Sequence, residues 1–218
     1  QNATFRATTT LLDSENPEKL AMIPHRAEPK AIATRRKVGI EPDARAPDIS
    51  ASTINSYLDR GITGIWGPHI ETAEEAQALV DGSLYGPQGK RSWGGGRGNY
   101  YNNPALIDIP GGERTEYMQQ TNANMLVLCQ LESARAFENI DAILEVKGFD
   151  GYVFGPNDLA HSMGLPGQPG HPDVVAMERQ MADRIHAAGG KLYTELVAVI
   201  ELRHLIVDAA QQFLADNV

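Results

Sequence analysis

Short apolar segments alternate along the chain with segments that have the spacing of amphipathic helices. The segments 124–133, "NMLVLCQLES", and 151–156, "GYVFGP", are almost wholly apolar, as strands buried on both faces of a parallel sheet are. The first is followed by the helical pattern "SARAFENIDAILEVKG" and the second, after a loop rich in Gly and Pro, by "VVAMERQMADRIHAAGG". Repeated βα units predict an α/β fold, and several in succession favour a (β/α)₈ TIM barrel over a doubly wound sheet.

The length of the chain limits the number of domains. A chain of 218 residues, 42% of them hydrophobic, can form one sizeable core, so we predict a single barrel domain over residues 1–218. A complete barrel typically takes about 250 residues. No helix fits between the predicted strands "KLYTE" and "LVAVI", although parallel neighbours need a crossover of about a dozen residues. We therefore expect the sequence to join segments across missing stretches, around residues 10–24 and near residue 195.

The charge of the chain argues against some classes of partner. With 28 acidic and 19 basic residues the formal net charge is −9, which repels nucleic-acid phosphates and anionic lipid. We therefore expect neither nucleic-acid nor membrane binding. The sequence has no run near the roughly 20 apolar residues of a transmembrane helix and no pattern of a secretory signal, which predicts a cytoplasmic protein. The single cysteine, Cys129, lies in an apolar run and is interpreted as a core residue.

Two carboxylates stand at the carboxyl ends of predicted strands. Glu132 ends "VLCQLE", and Asp158 comes just after "YVFGP". In a barrel, the carboxyl ends of all strands face the same mouth, so the two side chains are expected to converge there. Oxygen ligands suit Mg²⁺ or Mn²⁺, and two protein carboxylates leave coordination positions for a substrate. The alternative is that either carboxylate caps the helix that follows it.

Other polar residues near strand ends are less specific candidates. Gln130 lies on the same strand face as Glu132 and is a candidate to bind substrate or a bound water. His69 follows the predicted strand "ITGIWGP" and either lines the mouth or is an ordinary polar wall residue. The segment "WGGGRGNYY" lacks a preceding strand and is predicted to be a flexible loop. Arg91 and Arg97 near it are candidates to meet an anionic substrate, with solvated charges as the alternative.

The segment "LVLCQLESARAFENIDAILEVKGFDGYVFGPNDLAHSMGLPGQPGHPDV" resembles the signature region of the HpcH/HpaI family of metal-dependent class II pyruvate aldolases. The resemblance extends upstream through "STINSYLDRGITGIWGPHIETAEEAQALV" and "YGPQGKRSWGGG" and covers about residues 45 to 190. It implies that Glu132 and Asp158 ligate a divalent cation, Mg²⁺, Mn²⁺ or Co²⁺. Asn157, Gln130 and Asp158 are then candidate substrate contacts.

The resemblance also implies roles for residues in the N-terminal part of the chain. The family's catalytic His matches His25 in "MIPHRAEP", and its substrate-orienting Arg matches Arg45 in "ARAPD". The Asp of its "LDxG" stretch, which reaches the His of a neighbouring subunit, matches Asp59 in "YLDRG". The acidic residue that the family places three positions before the His is Met22 here. A homo-oligomer, and specifically a hexamer, is implied.

The expected function is cleavage of a 4-hydroxy-2-oxo acid or 2-keto-3-deoxy acid to pyruvate and an aldehyde through a pyruvate enolate. In this interpretation Arg45 donates to the keto oxygen and His25 holds the water that acts as base, without a Schiff-base lysine. Two alternatives stay open. One is a decarboxylating relative similar to macrophomate synthase, which "GPHIET" suggests. The other is a catalytically silent barrel that serves as a binding subunit, suggested by Met22 and the short N-terminal third.

Overall fold

Five parallel strands form the centre of the molecule. A computed structural model describes residues 19–22, 40–94, 97–103, 114–196 and 210–216. Within them the strands are hydrogen-bonded in sequence order, from β1 to β5. The strands are β1 (Lys19–Met22), β2 (Ile40–Arg45), β3 (Gly64–Gly67), β4 (Leu126–Leu131) and β5 (Gly151–Phe154). Doubly wound sheets reverse their strand order at a switch point. The unbroken order confirms the predicted barrel fold class.

Among the described residues, helices follow β2, β3, β4 and β5 along the chain and lie outside the sheet. The helices are α1 (Ala51–Leu58), α2 (Ala73–Ser83), α3 (Arg114–Ala123), α4 (Ala134–Glu138), α5 (Ile140–Glu145), α6 (Pro156–Ser162), α7 (Pro172–Ala187) and α8 (Tyr193–Leu196). A 3₁₀ helix covers Arg97–Asn102, and residues 210–216 are helical. None of the helices in the described ranges is long and apolar enough to span a membrane.

Polar side chains determine where several helices begin. The hydroxyl of Ser50 accepts from the N–H of Thr53 at the start of α1. Thr72 and Glu75 form a reciprocal capping box at the start of α2, which satisfies two of the backbone donors that a helix end leaves free. Ser133 caps α4 through the N–H of Ala136. Each of these three helices therefore starts a few residues after a strand ends.

The side chains of the strands alternate between two environments. On β4, Val127, Cys129 and Leu131 face the helices and belong to the main hydrophobic core. Leu128 faces the other way and packs with Trp66 and Tyr193 inside the barrel. Because side chains alternate along a strand, Gln130 lies on the same inner face as Leu128, and the next inner position is Glu132, just beyond the strand. The inner face of β4 thus leads directly to the polar residues at the mouth.

Three expectations about secondary structure are wrong in part. In "KLYTE" only Leu192 forms a bridge, to Tyr152 of β5, and the residues after it form α8. The carboxylate of Glu195 accepts from the N–H of Leu192 at 2.7 Å, and this contact starts the helix. The predicted helix over 133–148 is divided at Asn139 into α4 and α5. The predicted loop around 93–101 contains the 3₁₀ helix.

Some expectations fall on residues that the structure does not describe. These are "LVAVI" after residue 196, the helical pattern that follows His25, and most of the region around residues 10–24. The expectation that stretches are missing there and near residue 195 stays a prediction.

Candidate active site

Polar side chains gather at the carboxyl ends of β2, β3 and β4. Arg45 is the last residue of β2, and His69 lies two residues beyond the end of β3. Gln130 is on β4, and Glu132 directly follows it. In a parallel barrel these ends form one mouth, which is where barrel enzymes place their active sites. The structure therefore brings Arg45, Gln130 and Glu132 together.

Glu132 is the centre of this cluster. Its side chain is only 1% exposed. Its Oε1 accepts from the backbone N–H of His69 at 2.9 Å and lies 3.0 Å from Nδ1 of the same residue. Nη2 of Arg45 is 3.5 Å from Oε1, and Nε2 of Gln130 donates to Oε2 at 2.8 Å. Buried carboxylates are costly unless donors surround them, and these donors compensate Glu132.

Arg45 and Gln130 hold one another in place. Nε of Arg45 donates to Oε1 of Gln130 at 2.7 Å, and Nε2 of Gln130 in turn donates to Oε2 of Glu132. The guanidinium has five N–H donors in a rigid fork, of which these contacts use only part. Its side chain is 39% exposed, so the remaining donors are available at the mouth. Arg45 is thus positioned to meet an anionic or carbonyl oxygen from outside.

A buried pair lies below Arg45 on the inner face. Nε1 of Trp66 donates to Oδ2 of Asp43 at 2.7 Å, and Asp43 is fully buried. Asp43 precedes Arg45 by two residues on β2 and therefore faces the same side of the strand. The ring of Trp66 meets that of Tyr193 edge-on, with 4.4 Å between centroids. This packed layer closes the barrel beneath the polar cluster.

The turn that carries His69 is fixed by its neighbours. The N–H of Ile70 donates to the carbonyl of Gln130 at 3.2 Å, and the Ile70 side chain is fully buried. The amide of Asn139 donates to the carbonyl of Glu71 at 2.9 Å. His69 itself has a φ of 52°, in the left-handed region that few residues other than Gly adopt. The turn presents both the N–H and the ring of His69 to Glu132.

Burial and charge act in opposite directions on Glu132. Desolvation raises the pKa of its carboxyl above the ordinary value, and the nearby charge of Asp158 adds to this effect. The hydrogen bond from the His69 N–H, the His69 ring and Arg45 all act to lower the pKa, but the net direction is upward. A cation beside Glu132 would relieve this effect, because it favours the ionised carboxylate.

The capping alternative is excluded for Glu132, because the cap of α4 is Ser133. For Asp158 the case is different, since this residue lies in the first turn of α6, whose N-cap Gly155 makes no side-chain cap. Asp158 and Asn157 are exposed, and neither side chain has a hydrogen-bond partner among the described residues. Asp158 is nevertheless close enough to Glu132 to influence its pKa.

Another predicted site residue, Asp59, does not join the cluster within one chain. Asp59 caps the carboxyl end of α1, which runs back from the mouth, so it lies at the opposite end of the barrel from Glu132. There its carboxylate is next to Gly94 and interacts with the buried Arg91. Arg91 also stacks on the ring of Tyr85, 4.5 Å from its centroid. His25 lies outside the described residues, so its predicted role stays a prediction.

The donor set fits a hard divalent cation. Oε2 of Glu132 receives a single hydrogen bond within the described residues, and a carboxylate oxygen has a second lone pair to offer. Asp158 offers a second, exposed carboxylate nearby. No group of three His, Cys, Asp or Glu side chains suited to a metal occurs in the part of the chain that the structure describes. Mg²⁺ and Mn²⁺ are commonly held by one or two carboxylates, with water or substrate completing the shell.

For His69, the sequence left two alternatives open, a residue that lines the mouth and an ordinary polar wall residue, and it did not predict the contact with Glu132. Its position after a predicted strand was a signal, but its contact with Glu132 depends on the left-handed turn. Nothing in the local sequence distinguishes that turn from an ordinary loop.

The fold and the site define an α/β barrel with acidic residues and an arginine at the carboxyl ends of its strands. The family model for HpcH/HpaI aldolase/citrate lyase matches residues 25–217, and the chain belongs to this family. A 2-keto-3-deoxy-L-rhamnonate aldolase of Klebsiella pneumoniae is 38% identical over 149 residues, which cover 68% of this chain and 53% of that protein. A 4-hydroxy-2-oxovalerate aldolase of Rhodococcus jostii is 36% identical over 145 residues, covering 66% and 52%. The chain spans about half the length of these curated relatives.

Solved structures have the same fold. The crystal structure of an HpcH/HpaI aldolase from Desulfitobacterium hafniense superimposes with a TM-score of 0.67 at 26% identity, over 78% of this chain and 65% of that one. The structure of macrophomate synthase gives a TM-score of 0.67 at 24% identity, over 85% of this chain and 70% of that one. The second likeness concerns the fold alone.

Proposed function

We propose that the protein is a divalent-metal-dependent aldolase. It cleaves a 4-hydroxy-2-oxo acid or 2-keto-3-deoxy acid reversibly to pyruvate and an aldehyde. The observation that carries this proposal is the hydrogen-bonded series Arg45, Gln130 and Glu132 at the barrel mouth, with the Asp158 carboxylate beside it. The names of the two curated relatives, which are aldolases of these two kinds of acid, support the substrate class.

In this proposal Glu132 and Asp158 hold the cation. When bound, the cation supplies a Lewis acid for the electrons of the breaking carbon–carbon bond. The donors around Oε1 of Glu132 stabilise the ionised form of this carboxylate against the effect of its burial. Gln130 donates to the other oxygen and thereby fixes the plane of the carboxylate.

Arg45 orients the oxo acid and stabilises the charge that develops on it. Its bond to Gln130 fixes the guanidinium, and its unused N–H donors are exposed at the mouth. A donor held in advance towards an oxygen that becomes enolate-like contributes about 10²–10³ in rate. Asn157, exposed in the first turn of α6, is a further proposed substrate contact.

His25 and Asp59 complete the proposal as the base-holding residue and its partner. Asp59 lies far from Glu132 within one chain, so it serves the active site of another copy. The protein then works as a symmetric homo-oligomer, with the hexamer of the resemblance as the expected state. Mixing Arg45→Ala and Asp59→Ala proteins after dissociation tests this, because shared sites regain activity in mixed oligomers. A fully active monomer would contradict it.

The test of the function uses two assays with Mn²⁺ added. Exchange of the pyruvate methyl protons with solvent reports enolisation, and pyruvate release from a panel of 4-hydroxy-2-oxo acids reports cleavage. We expect both activities, no inactivation by borohydride with pyruvate, and the loss of both activities in Glu132→Gln. Borohydride trapping on a lysine would contradict a metal-dependent mechanism. Oxaloacetate decarboxylation without aldol cleavage would instead identify a decarboxylating relative, and a complete absence of exchange would indicate a silent barrel.

A further inference from the structure

His69 supports Glu132 through its N–H and its Nδ1, but the proposed function gives no role to the exposed part of its ring. The His69 side chain is 61% exposed, whereas that of Glu132 is 1% exposed. Gln130 is also buried, at 7%. Glu132 and Gln130 therefore lie inside the mouth, and the exposed part of His69 lies at its rim.

The position of His69 is determined by the fold on both sides. Pro68 before it is buried, and Ile70 after it is fully buried, with its N–H bonded to the carbonyl of Gln130. The left-handed backbone of His69, with φ at 52°, costs free energy and persists only where surrounding structure enforces it. A residue held in this way keeps its ring at the mouth before any substrate arrives.

The contact with Glu132 determines which ring nitrogen carries a proton. Nδ1 lies 3.0 Å from Oε1 of Glu132, and an ionised carboxylate only accepts hydrogen bonds. Nδ1 is therefore the N–H donor. The other nitrogen, Nε2, lies across the ring from Glu132. The exposed part of His69 therefore presents a hydrogen-bonding nitrogen to whatever lies beyond the buried cluster, and a hydroxyl group can pair with it as donor or as acceptor.

We propose that His69 is a specificity-determining substrate contact whose Nε2 hydrogen-bonds to a hydroxyl group on the aldehyde portion of the substrate. This inference rests on the proposed aldolase function. The pyruvate end is proposed to bind at Arg45 and the cation site, whose Glu132 lies buried beneath His69, so the aldehyde portion extends outward past the His69 ring. The preferred substrates are then 2-keto-3-deoxy sugar acids with a hydroxyl on C5, rather than acids that release an alkyl aldehyde.

Two substrates that differ by one hydroxyl test the proposal. Cleavage of 4,5-dihydroxy-2-oxopentanoate releases glycolaldehyde, and cleavage of 4-hydroxy-2-oxopentanoate releases acetaldehyde. The measured quantity is the ratio of their kcat/KM values. A neutral hydrogen bond of ordinary strength corresponds to a preference of about 3- to 10-fold for the hydroxylated acid. Exchange of the pyruvate methyl protons with solvent is measured in parallel with this ratio, because that reaction involves no aldehyde portion.

A pair of variants separates the contact with substrate from the contact with Glu132. His69→Asn keeps a side-chain N–H where Nδ1 lies and tolerates the left-handed backbone, but it has no group at the place of Nε2. His69→Gln carries its amide where Nε2 lies. We expect His69→Asn to lose the preference for the hydroxylated acid, a change in the ratio of the two kcat/KM values that a weakened contact with Glu132 alone would not produce. His69→Gln is expected to keep part of the preference.

The outcomes distinguish this inference from the proposed function. If the wild-type protein cleaves both acids and His69→Asn leaves the ratio unchanged, the substrate contact is wrong and the aldolase function stands. If His69→Asn lowers exchange and both cleavage rates equally, His69 acts only through Glu132, which also overturns the contact. A wild-type protein that neither exchanges nor cleaves overturns the proposed function together with this inference.

Discussion

Gly155 lies directly against the carboxylate of Glu132. A Cβ built on Gly155 would be 2.7 Å from Cβ of Glu132 and closer still to Oε2. The φ of Gly155 is −116°, so any residue could adopt its backbone conformation. Glycine is therefore required at position 155 because a side chain has no room beside Glu132, and not because of the backbone conformation. The junction between β5 and α6 approaches β4 closely enough to place Asp158 near Glu132 only because position 155 has no side chain.

We predict that Gly155→Ala displaces Glu132 while the barrel stays folded. The added methyl group must push Oε2 away from Gln130, and overpacking of this kind costs about 1–3 kcal/mol. We expect Mn²⁺ affinity to fall by at least about 10-fold, equivalent to about 1.4 kcal/mol, measured by calorimetric titration. Gly170→Ala is the control, since a Cβ there meets nothing within 4 Å. Equal Mn²⁺ affinity in the two variants would contradict the prediction.

Glu132→Gln tests the same carboxylate without adding volume. Its neighbours His69, Arg45 and Gln130 all act as donors towards Glu132, so an amide NH₂ there faces other donors and leaves one buried group unsatisfied. We expect Mn²⁺ affinity to fall about 100-fold or more, with little change in the circular dichroism spectrum. Chelation of the wild-type protein should likewise abolish activity without unfolding, because core burial holds the barrel together. Undiminished metal affinity in Glu132→Gln would remove this residue from the site.

The residues at the ends of apolar strands could be predicted from sequence. β4 and β5 are buried on both faces, so their hydrophobic runs are continuous, and the polar residues that follow, Glu132 and Asp158, stand out against them. The resemblance of the surrounding segments to a known family then indicates which chemistry residues at these positions perform. This part of the site was predictable because strand, strand end and ligand are adjacent along the chain.

The other side of the site was harder to predict, for physical reasons. β2, "IEPDAR", has a polar residue at every second position, and one of these, Asp43, is buried against the indole N–H of Trp66 from the next strand. α3 buries little besides Tyr117 and has no clear apolar face. The role of His69 depends on a turn held by Gln130 and Asn139, which are distant in sequence. In each case a tertiary contact decides the local structure.

The loop from Arg45 to α1 gives a prediction about pH. The pKa of Asp48 is lowered by hydrogen bonds, first from the Ser50 side chain, then from the Ser50 N–H and the Thr53 hydroxyl. The stability that the ionised Asp48 contributes is therefore fully present above its ordinary pKa of 3.8 and is lost as pH falls through the lower, folded-state value. Asp48→Asn should destabilise the protein at neutral pH and progressively less on acidification. Urea denaturation over a series of pH values measures this, and a difference that grows on acidification would contradict it.

Arg45→Ala is expected to separate turnover from metal binding. The variant removes the donor proposed to face the keto oxygen, so kcat should fall by about 10²–10³. Mn²⁺ affinity should change by less than about 3-fold, since His69 and Gln130 still donate to Glu132. Arg45→Lys keeps the charge but cannot reach Gln130 and Glu132 with one planar fork, so an intermediate rate is expected. Arg135→Ala is the control, because this exposed arginine pairs with Glu71 at 3.2 Å and has no contact with Glu132 among the described interactions. Near-normal turnover in Arg45→Ala would show that another residue orients the oxo acid. A loss of metal affinity that parallels the loss of turnover would show that Arg45 acts by supporting Glu132 and not by contacting the substrate.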